Sequence, residues 1–138
     1  MSWRKPERGL VINYSYLWAR ESKTGQEEGR KERPCSIIIA RYDDANGIRV
    51  RVLPVTHTPP EKLADAIEIP SITKSRLGLD ADRSWIVLTE VNDFTWPGFD
   101  LRPIGDTGSP YYGPLPPSFY NEIIKRLRSI RIRVITRT

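Results

Sequence analysis

Cysteine and histidine are scarce in this chain: each occurs once among 138 residues, as Cys35 and His57. A single cysteine excludes an intrachain disulfide and a zinc site with several cysteines, and a single histidine excludes a site built on two histidines of one chain. Cys35 opens an apolar run, so we expect a buried core residue rather than a nucleophile. No spacing of acidic residues is typical of metal ligands, and we expect neither metal nor cofactor.

Long apolar stretches are also lacking. No segment near Met1 resembles a signal peptide, and no run approaches the ~20 apolar residues that span a bilayer. We therefore expect a cytoplasmic protein that does not contact membranes. The chain has no Walker-type phosphate loop and no Rossmann fingerprint either, which excludes the commonest nucleotide-binding motifs.

Positive charge, in contrast, is in excess. Lysine and arginine total 22 against 17 aspartate and glutamate residues, a net charge of +5. Hydrophobic residues make up 38% of the chain, which is enough for a folded core, and the length suits one domain over 1–138. The excess of positive charge favours an anionic partner such as nucleic acid or an acidic protein.

The apolar pattern is that of short strands followed by one helix. Ile48, Val50 and Val52 alternate with Arg49 and Arg51, as expected for a strand with one buried face. Further strand patterns cover 10–18, 35–42, 66–69 and 85–91. An Asn-Gly pair at 46–47 predicts a hairpin, and 70–78 reads as a brief helix.

Apolar residues recur at helical spacing from Phe119 to Ile130, after a predicted N-cap at Ser118. We predict a mainly β fold: a closed or half-closed β-barrel with a C-terminal amphipathic helix and short additional helices. Residues 1–8 read as a loose arm, 20–32 as a mobile loop, and 93–117 as a long ordered loop with one short strand near 101–104, for partner or ligand contact.

The loop 20–32 leads directly to Arg33, which precedes Pro34 and the apolar strand. A guanidinium group keeps its charge, and its planar fork matches phosphate oxygens. The alternative for Arg33 is a salt bridge to a loop glutamate such as Glu28 or Glu32. Thr56 ends the next strand, where its hydroxyl could either bind a ligand or bond local backbone.

Four motifs in this order resemble the MazF/PemK/Kid family of toxins. They are Gly9-Leu10-Val11-Ile12, then Gly25-Gln26-Glu27 with Gly29 and Arg33-Pro34, then Val52-Leu53-Pro54-Val55-Thr56, and Trp85-Ile86-Val87-Leu88-Thr89-Glu90 before the C-terminal helix. The chain departs from the family in a longer stretch between Gly29 and Arg33 and in Glu90-Val91, which replaces an aspartate-glutamine pair. Cleavage specificity is therefore not carried over.

The resemblance implies an SH3-like barrel of the CcdB/PemK type and a toxin endoribonuclease of a type II toxin–antitoxin system. Such an enzyme cleaves single-stranded mRNA without a metal, through a 2′,3′-cyclic phosphate. By position, Arg33 and Thr56 are the catalytic residues, and His57 and Glu27 are candidate proton-transfer groups. Lys23, Arg30, Lys31 and Glu90 are candidate RNA contacts.

The resemblance also implies a homodimer and an acidic cognate antitoxin. Trp18, Trp85 and Trp96 could stack on bases, although Trp85 lies in an apolar strand and suits the core better. Two other functions stay open. The same barrel occurs in CcdB, a non-catalytic toxin that poisons gyrase, and a barrel without activity could be a binding module.

Overall fold

The fold is mainly β. The computed structural model describes residues 4–23, 25, 31–43 and 47–137, which form eight strands, three short α-helices and one 3₁₀ turn. The elements are β1 (Leu10–Tyr14), α1 (Ala19–Lys23), β2 (Arg33–Asp43), β3 (Gly47–Thr56), the 3₁₀ turn (Leu63–Asp65), β4 (Ala66–Glu68), α2 (Ser71–Leu77), β5 (Trp85–Val87), β6 (Glu90–Trp96), β7 (Tyr111–Pro114), α3 (Pro117–Leu127) and β8 (Arg133–Thr136). The mainly β prediction is confirmed.

All eight strands belong to one sheet, in the order β4-β5-β3-β2-β1-β7, with β6 paired to β3 and β8. The pairs are antiparallel except for β6 and β8, which run parallel. One edge of β3 pairs with β2, while its other edge pairs first with β6, from Ile48 to Val52, and then with β5, at Val55 and Thr56. The single strand predicted over 85–91 is therefore two strands, interrupted at 88–89.

The described strands do not close into a barrel, which corrects that part of the prediction. Strands β4, β7 and β8 each pair with one other strand, so each leaves an open edge. Two of them are short, with three residues in β4 and four in β7. Pro114, the last residue of β7, has no N–H to donate to a further strand.

Both faces of the sheet are packed. The first core lies on the face of β3 that carries Val50 and Val52, together with Tyr14, Tyr16 and Phe94. The second core lies on the opposite face, where α2 and α3 cover the sheet; it includes Val11, Leu53, Val55, Leu77, Ile86, Ile123 and Leu127. Because β1 is buried on both faces, its sequence reads as a continuous apolar run.

The predicted C-terminal helix is confirmed as α3, which buries Ile123 and Leu127. It begins one residue earlier than expected, because Pro116 is the N-cap and Pro117 the first helical residue. Ser118 therefore lies in the first turn, and its predicted capping role is wrong. The stretch after α3 becomes the edge strand β8 rather than more helix.

Two segments predicted as loops contain regular structure. Helix α1 occupies 19–23, at the beginning of the expected loop 20–32. In the segment 93–117 the strand β7 lies at 111–114; the strand predicted near 101–104 is wrong, since Leu101 forms only an isolated bridge to Tyr14. The described part of the N-terminal arm has fixed contacts: the Arg4 backbone N–H donates to the Tyr111 hydroxyl at 2.8 Å, and its carbonyl accepts from Trp96 Nε1 at 3.0 Å. None of the helices in the described ranges is both long and apolar enough to cross a bilayer.

Candidate functional site

The β2–β3 hairpin carries Arg33 and Thr56 to the same end of the sheet. Cys35 lies opposite Pro54 in the antiparallel register, so two residues further along each strand the chain reaches Arg33 on one side and Thr56 on the other. One terminal nitrogen of Arg33, Nη1, donates to the carbonyl oxygen of Val55 at 3.1 Å. This bond fixes the guanidinium group next to the end of β3.

Arg33 is partly buried and lies close to Trp18. Its guanidinium carbon is 4.8 Å from the centre of the Trp18 ring, and the guanidinium of Arg20 is 4.9 Å from the same ring. Burial lowers the pKa of Arg33 from its ordinary value, although a guanidinium group stays charged at neutral pH. Its Nε is buried without a hydrogen-bond partner in the described residues, and within these residues only Nη1 is bonded, so Nη2 retains its donors for a ligand.

Thr56 and His57 follow each other where β3 ends. The Thr56 hydroxyl oxygen accepts a hydrogen bond from the Thr58 backbone N–H at 3.1 Å, which is the local turn bond expected of a threonine in this position. Its own O–H hydrogen is still available to a ligand. His57 Nε2 is 2.8 Å from Asp80 Oδ2, and both side chains are about half exposed, at 56% and 52%.

A buried lysine organises the other side of this site. The side chain of Lys74, on α2, is only 5% exposed. Its ammonium donates to Asp80 Oδ1 at 2.6 Å, to Ser84 Oγ at 2.7 Å and to the Asp82 carbonyl. The hydrogen bonds from Lys74 and His57 lower the pKa of Asp80, with the lysine bond as the larger cause. Lys74 thus fixes the loop that presents Asp80 to His57.

His57, Asp80 and Asp82 could in principle offer three metal ligands, because their ligand atoms lie within 4.8 Å of one another. However, the cation that the structure places here is the Lys74 ammonium, which bonds both the Asp80 carboxylate and the Asp82 carbonyl. A lysine so close would repel a divalent ion electrostatically. The geometry therefore favours a role for Asp80 in orienting His57 over a metal centre.

Two neighbouring cavities share these residues as a common rim, which we call the Arg33 rim. The rim consists of Lys31, Arg33, Thr56 and His57. The first cavity, the Tyr112 cavity, has a volume of about 330 Å³ and is also lined by Lys74, Asp80, Ser84 and Tyr112. The second, the Trp18 cavity, has a volume of about 470 Å³ and is also lined by Trp18, Arg20, Thr58, Pro59, Pro60, Glu61, Asp65, Ala66 and Val87. Both volumes are typical of ligand sites.

The structure thus brings together four of the residues named from the sequence: Arg33, Thr56, His57 and Lys31. Lys23 is exposed on α1 and lines neither cavity. Glu27 and Arg30 lie outside the described residues, so the structure does not place them.

Glu90 lies apart from the rim, in a separate cavity with Thr89 and Arg133. Its carboxylate accepts from the Tyr16 hydroxyl at 3.1 Å and from the Ala19 backbone N–H at 2.9 Å. These bonds hold the beginning of α1 against β6. In this structure Glu90 supports the segment that carries Trp18, and it does not face the two cavities.

Sequence reasoning missed Lys74, Asp80 and Asp65. Each is an isolated charged residue in a stretch without a motif, and only the fold brings it to the rim. One signal was present for Lys74: it lies in the brief helix predicted over 70–78, three residues from Leu77 and next to Thr73, both of which are buried. A lysine on the buried face of a helix needs a buried acceptor.

Comparisons with known proteins do not identify the chain. A scan against models of protein families finds no match, and a search of curated proteins finds none.

Proposed function

We propose that the protein is a toxin endoribonuclease of the MazF/PemK/Kid type, which cleaves single-stranded RNA at the Arg33 rim. The observation that carries the proposal is the convergence of Arg33, Thr56, His57 and Lys31 on one rim between two cavities. Lys31 and Arg33 are the two cations of this rim, whereas the carboxylates of the adjoining cavities, Glu32, Glu61, Asp65 and Asp80, lie outside the four shared residues. Such a site attracts a phosphodiester group.

In the proposed reaction, the ribose 2′-oxygen attacks the adjacent phosphorus atom, and the bond from phosphorus to the 5′-oxygen breaks. The products are a 2′,3′-cyclic phosphate and a 5′-hydroxyl end. Negative charge builds up on the phosphoryl oxygens in the transition state, and the free N–H groups of Arg33 can donate to them. The Thr56 hydroxyl can donate to another of these oxygens.

Two protons must also move: one leaves the 2′-hydroxyl group, and one reaches the departing 5′-oxygen. His57 carries the imidazole on the rim, and imidazole is the side-chain group that enzymes use most often for proton transfer. Asp80 orients the imidazole ring through Nε2. His57 therefore takes up or supplies one of these protons, and the other is exchanged with water or with Glu27.

The test is incubation of the purified protein with a long single-stranded RNA in the presence of EDTA. We expect discrete fragments, and we expect Arg33→Ala and Arg33→Lys to reduce the cleavage rate by about 10³–10⁵, because lysine cannot replace the two-pronged contact. Arg41→Lys is the matched control, since Arg41 is exposed on the same strand and lines neither cavity. Full activity of Arg33→Lys would remove Arg33 from the mechanism.

Two other outcomes would replace the proposal. Cleavage that requires a divalent ion would point to His57, Asp80 and Asp82 as metal ligands. Intact RNA at high protein concentration would favour a non-catalytic toxin or binding module like CcdB. The proposal also includes an acidic antitoxin, a homodimer and a cytoplasmic site of action. These are checked by co-purification with the product of the neighbouring gene and by light scattering of the isolated protein.

A further inference from the structure

The Trp18 cavity has the chemistry of a nucleobase site. Its apolar lining comes from Trp18, Pro59, Pro60, Ala66 and Val87. The indole itself is only 8% exposed, and the guanidinium of the exposed Arg20 lies over its ring at 4.9 Å from the centre, so the guanidinium plane is the more accessible flat surface. Bases in single-stranded RNA stack on aromatic rings and on guanidinium planes. One end of the cavity is therefore suited to a flat, uncharged group.

The cavity has two carboxylates, and Asp65 stands out because it is partly buried and unpaired, whereas Glu61 is exposed. Among the described residues, no hydrogen bond or ion pair engages its carboxylate. Its backbone is nevertheless well fixed: the Asp65 N–H donates to the Lys62 carbonyl at 3.0 Å, and its own carbonyl accepts from the Leu88 N–H at 2.8 Å. Because the side chain is only partly buried, water can bond this carboxylate in the free protein, and a ligand that displaces the water finds an acceptor with no competing protein donor.

The position of the cavity relative to the Arg33 rim determines which part of RNA can reach it. The rim is shared with the Tyr112 cavity, so a phosphate held at the rim adjoins both cavities. A scissile phosphate adjoins two nucleotides in the same way. The Trp18 cavity is therefore in the place of a base that flanks the cleaved bond.

We infer that the Trp18 cavity selects guanine next to the scissile phosphate, and that Asp65 is the residue that specifies it; this rests on the proposed function. Guanine presents N1–H and its 2-amino group side by side, and these two donors match the two oxygens of the Asp65 carboxylate. Uracil and adenine each offer a single donor group on the corresponding edge. Hypoxanthine, the base of inosine, lacks only the 2-amino group.

The experiment uses DNA oligonucleotides that carry one ribonucleotide, so that the cleaved bond is known. Guanine, hypoxanthine, adenine or uracil is placed on either side of that bond, and kcat/KM is measured for each. For the unmodified protein, we expect guanine to exceed hypoxanthine by at least about fivefold on one side only, the lower end of the range for one good bidentate contact.

The matched variants are Asp65→Asn and Asp106→Asn, each of which removes one negative charge. Asp106 is exposed and lines neither cavity. Asp65→Asn should bring the guanine-to-hypoxanthine ratio close to one, while Asp106→Asn should leave it unchanged. An equal loss for every base in Asp65→Asn, or equal rates for guanine and hypoxanthine in the unmodified protein, would overturn the inference. The base exchange requires no change in the protein, so the test stands even if Asp65→Asn does not fold.

Binding separates this inference from the proposed function. Fully 2′-O-methylated oligonucleotides cannot be cleaved by a 2′-oxygen, and their affinity is measured by fluorescence anisotropy. Preference for guanine in binding, together with uncleaved RNA in the activity assay, would retain the base site and reject the endoribonuclease. Cleavage of RNA without preference for guanine in either assay would retain the endoribonuclease and reject the base site. Neither binding nor cleavage would reject both.

Discussion

Replacement of Lys74 by methionine tests whether a buried ammonium group holds the wall of the Tyr112 cavity. The side chain is 5% exposed, and its ammonium has three acceptors. Lys74→Met leaves the buried Ser84 hydroxyl without this donor, which costs about 1–3 kcal/mol. Loss of the bond to Asp80 adds at most about 1 kcal/mol, because that carboxylate is 52% exposed and water replaces the ammonium.

We therefore expect Lys74→Met to lower the free energy of unfolding by about 1–4 kcal/mol, as measured by urea denaturation. For a domain of this size, the midpoint of thermal unfolding should fall by about 3–20 °C. Lys125→Met is the matched control, since Lys125 is also helical but exposed, and it should change the unfolding free energy by less than about 0.5 kcal/mol. If Lys74→Met also lowered the unfolding free energy by less than about 0.5 kcal/mol, the structural role of this lysine would be refuted.

Three further predictions concern other parts of the molecule. Arg137 is buried and bonded to the Ser15 carbonyl and the Asp100 carboxylate, so Arg137→Met should lower the unfolding free energy by about 3–5 kcal/mol. The control is Arg131→Met, at an exposed arginine, which should change the unfolding free energy little. Equal effects of the two substitutions would contradict the buried ion pair. The pKa of Asp80 is lowered in the folded protein, so its interactions stabilise the fold above the unfolded pKa of about 3.9 and are lost as the pH falls through the lower folded pKa. The difference in melting temperature between the unmodified protein and Asp80→Asn should therefore disappear at strongly acidic pH. A difference that stays constant with pH would contradict this linkage. A Cβ at Gly98 would lie 3.0 Å from the Thr95 carbonyl oxygen, whereas one at Gly105 meets nothing within 4 Å. Because both glycines have positive φ, Gly105→Ala should lower the unfolding free energy by about 1 kcal/mol, and Gly98→Ala should lower it by more than that. Equal losses of stability in calorimetry would contradict the close contact at Gly98.

The placement of Arg33 and Thr56 at the same end of the sheet was predictable because it depends on a hairpin. Alternation along β3 and the Asn-Gly pair indicate two antiparallel strands, and such a hairpin brings the beginning of one strand beside the end of the other. The register that the structure shows, with Cys35 opposite Pro54, has this consequence. Local sequence patterns are thus enough to predict that two residues lie close together when both belong to adjacent strands of one hairpin.

The rest of the site was not predictable because it depends on contacts between segments distant in sequence. Asp80 meets His57 from the loop after α2, and Lys74 holds that loop through its bonds to Asp80, Asp82 and Ser84. No periodicity in the sequence predicts these contacts. Similarly, β7 has the sequence Tyr-Tyr-Gly-Pro, which resembles a turn, and becomes a strand by pairing with β1. The open sheet was not predictable for a similar reason. The alternation of apolar residues shows which face of a strand is buried, but it does not show whether the edge of that strand pairs with another strand.

The chemical ends left on a cleaved RNA test the central claim most directly. After incubation with the unmodified protein in EDTA, the products are analysed by mass spectrometry, with Arg33→Lys as the paired sample. The account predicts a 2′,3′-cyclic phosphate on the upstream fragment, a 5′-hydroxyl group on the downstream fragment, and neither product with Arg33→Lys. A 5′-phosphate and a 3′-hydroxyl group would contradict attack by the 2′-oxygen, and the same ends at the same rate with Arg33→Lys would contradict the role of the Arg33 rim.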